Sequence, residues 1–250
     1  MNPTDSAPDA QEAAPSKPFL SRLIGVFIEP GETFEDIARK PDFVAPLILL
    51  VLVSMAVVET MLTKIGMERV IRHSLAQSGQ AANMGAAQLN EAVHRGAAIA
   101  GVIAQISGVL GIPVFMLVVA GLGLVALNGF FGAGVKFKEV FSATCYAYMP
   151  SIVGGVMAIA VMIFGDPASF NPSSPAPTNL AFFLNPLTTS HAVLALASSL
   201  DIIILWFLVL LAIGLSRVAR NKVKASSIFI TFAGAWILLI IVKVGFAMLA

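Results

Sequence analysis

"SSLDIIILWFLVLLAIG", residues 198–214, reads as a stretch of membrane-buried helix interrupted by one letter. A carboxylate such as Asp201 near a bilayer centre costs about 2.5 to 3.5 kcal/mol on insertion scales. The rest of the chain decides whether that charge is answered. Of the 250 residues, 58% are hydrophobic and 12% charged, against roughly 25% charged in soluble domains. The composition is that of an all-α integral membrane protein, and nearly everything after residue 42 is apolar run or short connector, which leaves no room for a separate soluble core.

Residues 1–18 are rich in Pro, Ala, Ser and acids and cannot bury enough apolar surface to order. They are expected to form a disordered cytoplasmic tail. They also lack the basic start and apolar core of a signal peptide. Residues 19–42 form a second segment. Pro30 at a helix start, acids in the first turn and Arg39–Lys40 at its end mark a short helix. Its Phe34, Ile37 and Ala38 share a face, which suits an amphipathic helix at the membrane interface or one packed on the ends of the spans.

Five apolar runs follow in 43–250, near 43–63, 97–131, 140–164, 193–216 and 226–249, each long enough for about 20 residues of span. The second has no charge between residues 96 and 135. As one helix it either tilts and kinks at Pro113 or divides into two half-spans. Charge arbitrates. With a single crossing, Lys17, Arg22, Arg39, Lys40, Lys136, Lys138, Arg217, Arg220, Lys222 and Lys224 share one side, and only Lys64, Arg69, Arg72 and Arg95 fall in loops on the other. Ten against four obeys the positive-inside rule. The expected fold is therefore a five-span helical bundle, N-terminus in the cytoplasm and C-terminus outside. Loop 64–96 is expected to carry helical extensions. Loop 165–192, with five prolines, is expected to be irregular, with Phe170, Phe182 and Phe183 at the interface.

Small residues allow close helix approach in lipid. Ala97, Gly101, Ala104, Gly108 and Gly111 form one seam, and Ala143, Ala147, Ser151 and Gly155 another. Bundle packing is the simpler account of both, and a homo-oligomer face is the alternative. Four polar residues reach a similar depth in the outer half of the spans: Glu59, Gln105, Asp201 and Lys243. Intramembrane ionisable groups usually face the bundle interior and pair, so Asp201 is expected to pair with Lys243, with Glu59 and Gln105 completing the cluster. Such a cluster is either a lock on helix neighbours or a polar transport site.

Nothing in the sequence assembles a catalytic or cofactor site. His73, His94 and His191 carry no metal-ligand spacing, Cys145 is the lone cysteine, and "GLGLVALNG" lacks the lysine of a phosphate loop. No enzyme activity, cofactor, metal or nucleic-acid partner is expected. The lipid bilayer is the implied environment, with protein partners or further copies of the chain as contacts.

"EPGETFEDIARKPDFVAPLILL" before the first span and "FKEVFSATCYAYMPSIVGGV" in the third resemble the YIP family, the Ypt/Rab-interacting-protein domain membrane proteins, in their bacterial branch. Pro30, Thr33 and Phe34 are similar to the family's Pro-x-x-Thr-Phe segment, and Tyr146 and Pro150 to its Tyr-x-x-x-Pro. The resemblance implies a multi-span protein without known enzymatic chemistry, whose eukaryotic relatives are associated with Rab GTPases, vesicle trafficking and membrane shaping. The Asp-Leu-Tyr-Gly-Pro-type motif of those relatives is absent here. From the residues alone, Pro150 should free a backbone carbonyl near Tyr146 and kink the third span.

Overall fold

A computed structural model describes residues 16–167 and 170–249. The expected tail lies, for residues 1–15, outside the described residues. Ten α-helices follow in order: α1 (Phe19–Ile28), α2 (Pro30–Arg39), α3 (Val44–Thr60), α4 (Met67–Gln77), α5 (Ala86–Val125), α6 (Phe137–Ala147), α7 (Pro150–Phe164), α8 (His191–Ser199), α9 (Ile202–Val218) and α10 (Ala225–Leu249). There is no strand among the described residues, only an isolated bridge between Asn179 and Asp201. Among the described residues, four helices are long and apolar enough to cross a membrane: Val44–Ile65, Ala86–Phe130, Phe137–Phe164 and Ala225–Leu249.

The second apolar run is one continuous helix of 45 residues through Pro113. At 1.5 Å per residue it measures about 67 Å against a hydrocarbon core of about 30 Å. Part of the surplus is the first three turns, which pack on α4 where Gly96 meets Ile71. The small-residue seams seat α3 between α5 and α7. A Cβ at Gly108 would stand 3.2 Å from Val58, and one at Gly155 would stand 2.8 Å from Val53.

The third run is jointed at Pro150. Proline has no N–H to give the Tyr146 carbonyl, and the Met149 N–H takes that place at 3.2 Å. The fourth run departs from the sequence reading. It is two helices, α8 and α9, broken at Leu200 and Asp201, the latter extended. Asp201 is therefore not inside a helix but at the start of one.

The main core lies where α1 and α2 meet α5, α6 and α9, around Phe34, Met116, Val140, Tyr146, Leu211 and Leu215. The amphipathic face of α2 is turned into protein rather than onto a lipid surface: Thr33, Phe34, Asp36 and Ile37 are buried. Phe34 lies against Gly214, where a Cβ would stand 2.9 Å from the ring. Only glycine on α9 lets that ring in.

Candidate functional site

Two polar assemblies stand out, one at each end of the bundle. At the α1–α2 end, Arg22 comes from an otherwise apolar stretch of α1 and Asp36 from the inner face of α2. Their side chains are 4% and 3% exposed and 2.8 Å apart, Nε to Oδ2. Arg22 also donates from Nη1 to the Lys40 carbonyl at 3.1 Å and from Nη2 to the Asp36 carbonyl at 3.4 Å. The Lys17 backbone N–H donates to Asp36 at 3.1 Å, so the last residues of the expected tail are tied into the hairpin. Arg39 adds a contact at 3.7 Å. Desolvated charge is tolerable when it is paired and hydrogen-bonded, and this pair is both.

The residues similar to the family motifs converge here. Pro30 is the first residue of α2, where its missing N–H costs nothing. Thr33, Phe34 and Tyr146 are fully buried. The Tyr146 hydroxyl lies beside the Arg22 guanidinium, and its ring lies 6.4 Å from Phe19. A Cβ at Gly25 of α1 would overlap the Thr33 hydroxyl, so glycine sets how closely α1 and α2 approach. The motif letters thus specify how the hairpin docks. The Arg22–Asp36 pair was missed at the sequence level, although a single arginine in an apolar helix was its signal.

At the other end, residues 170–190 fold inward onto the α8–α9 break. Asp201 Oδ1 accepts the Ile203 N–H at 2.8 Å and caps α9. Its Oδ2 accepts the Thr178 hydroxyl at 2.7 Å and the Asn179 amide at 3.3 Å. Ser174 in turn holds Asn179 at 2.7 Å, and the Ile202 N–H donates to the Thr178 carbonyl at 3.0 Å. Phe170, expected at the interface, is instead buried with Ala158 and Met162. Phe183 is exposed.

The expected Asp201–Lys243 ion pair is absent among the described residues. The Lys243 ammonium donates instead to Ser198 at 2.9 Å and Ser199 at 3.1 Å, whose hydroxyls in turn donate hydrogen bonds to the Ala195 carbonyl. The two charges thus steady the same break through different partners, and they line separate cavities. Asp201 lines one of about 320 Å³ with Val57, Tyr148, Ser151 and Asn179, and Lys243 lines one of about 240 Å³ with Gln77 and His191. The structure does not bring Glu59 and Gln105 to them: both are exposed, on α3 and α5. No group of three or more His, Cys, Asp or Glu suited to a metal occurs among the described residues.

A bundle of long apolar helices with a docked amphipathic hairpin defines an integral membrane protein of the multi-span helical class. Residues 24–246 match the Yip1 domain, and the chain belongs to that family. No curated protein and no solved structure matches it.

Proposed function

We propose that this Yip1-domain protein is a non-catalytic scaffold that organises membrane through protein or lipid contacts, resident in a bacterial cytoplasmic membrane. The observation that carries the reading is the locked α1–α2 hairpin. Its inner face is anchored by Arg22–Asp36 and Phe34, and its outer face leaves Glu29, Glu32, Glu35, Arg39 and Lys40 exposed. A rigid, charged platform is suited to docking, because little ordering entropy is spent on binding. A photocrosslinker at Glu35 should capture partner species that disappear with Glu32→Lys. Capture unchanged by that reversal counts against the scaffold.

In this reading the chain crosses five times, the α8–α9 pair serving as the fourth crossing. The N-terminus is cytoplasmic and the C-terminus outside, and segment 19–42 rides at the cytoplasmic interface. The ten-to-four basic bias supports it. So does Arg217 at the end of α9, whose guanidinium would lie 3.1 Å from a Cβ at Gly31 of α2. Impermeant thiol labelling of single cysteines placed at Ser78 and Asn221 tests it, with only the first labelled from outside.

A second reading is favoured by one observation, the discontinuous helix beside the Asp201 cavity, an arrangement used by transporters. Here Asp201 and the cavity it lines serve permeation. Asp201→Asn keeps a capping side chain but removes the charge. Proton or ion flux into liposomes that this change abolishes would favour transport over the scaffold.

A further inference from the structure

A further built polar feature lies apart from the hairpin and the break. A cleft of about 170 Å³ opens between the α5–α6 turn and the α9–α10 turn, lined by Lys136, Arg220 and Lys222 with the backbone of 133–135 and 218–219. Both walls are rigid. On one, the Asn128 side chain accepts the Val135 N–H at 2.8 Å and donates to the Val135 carbonyl at 3.0 Å. On the other, the Ser216 hydroxyl donates to the Val223 carbonyl at 2.7 Å, and the Asn221 N–H to the Ser216 carbonyl at 2.9 Å. Val218, Ala219 and Val223 are buried beneath that turn.

The second wall holds an uncommon backbone. Arg220 and Asn221 are consecutive left-handed residues, φ 53° and 57°, a conformation that side-chain-bearing residues seldom adopt. Glu139, the one carboxylate lining the cleft, is turned onto the Lys136 backbone N–H at 2.8 Å. No carboxylate lies within salt-bridge distance of Lys136, Arg220 or Lys222 among the described residues. Like charges held together on rigid walls repel unless an anion joins them. The surroundings indicate which anion: Phe130, Phe131 and Phe137, 79%, 39% and 41% exposed, flank the lining residues 133–136 in the chain, as apolar rings do where acyl chains meet headgroups.

The geometry points to a binding site for the phosphate of an anionic phospholipid headgroup, held by Lys136, Arg220 and Lys222 with its acyl chains along the exposed phenylalanines. Basic pockets between membrane helices on the cytoplasmic side take such headgroups. The site stands independently of the scaffold reading and would serve a transporter equally.

The test reconstitutes the full-length protein in phosphatidylcholine bilayers containing a minor fraction of phosphatidylglycerol and counts retained phosphatidylglycerol by native mass spectrometry. Lys136→Gln, Arg220→Gln and Lys222→Gln each should lower retention about fivefold, the value of one cation near an anionic surface. Lys138→Gln and Lys224→Gln remove the same charge from the same end without lining the cleft, and should change it by less than about twofold. All five lie on exposed side chains, and an unchanged melting temperature confirms that each variant is folded. Equal loss in all five variants, or loss in none, overturns the site. Displacement of the lipid by inorganic phosphate overturns the phospholipid as its occupant.

Discussion

The two ends of the bundle each hold an acid drawn into the protein, Asp36 buried and Asp201 half-buried, and they hold it differently. Asp36 faces a guanidinium that is itself saturated by backbone carbonyls. Among the described residues, Asp201 faces no cation within salt-bridge distance. Its oxygens take a helix N-terminus, a hydroxyl and an amide. The first arrangement joins two helices into a hairpin, so removing one member strands an opposite charge in a dry core. The second closes a break in the chain, so removing its acid strands only neutral donors. A buried charge pair is brittle in a way that a capped break is not.

That contrast orders the expected effects. Asp36→Ala leaves Arg22 buried and unpaired, and should cost about 3 to 5 kcal/mol, read as denaturant unfolding in mixed micelles. If it costs less than removal of Asp201, the contrast fails. Phe34→Ala empties the contact against Gly214 and should cost about 3 kcal/mol, and a small loss there would mean that the hairpin is not seated as described. Asp201→Ala should cost about 1 to 2 kcal/mol, the value of a helix cap, with Asp201→Asn restoring most of it. A full restoration would sharpen the contrast by showing that hydrogen bonds rather than charge hold the break. Lys243→Met should cost least, about 0.6 kcal/mol, typical of one interhelical hydrogen bond in a membrane protein. A cost near that of Asp36→Ala would instead reveal a charge coupling to Asp201 through the serines.

Much of the architecture was legible in the letters. Val44–Ile65 and Ala225–Leu249 were readable from hydropathy alone, and the seams at Gly108 and Gly155 from small-residue spacing. Family-like letters such as Phe34 and Tyr146 were legible too, though not their meeting in one core. Asp201 was misread because seventeen nearly uninterrupted apolar residues outweighed the helix-start signal of a serine pair and an aspartate ahead of an isoleucine run. The Arg22–Asp36 pair was invisible because its partners sit on separate helices fourteen positions apart, and pattern reading treats each helix alone.

The sequence by itself determined the solvent and the element type. Lipid offers the backbone no hydrogen bonds, so apolar runs of this length have to be helices. Only the tertiary structure decided where a run is interrupted and what each charge touches. The donors that hold Asp201 come from Thr178 and Asn179, more than twenty residues away in a proline-rich loop. A hydrogen bond depends on where the loop is folded, which hydropathy and periodicity do not encode.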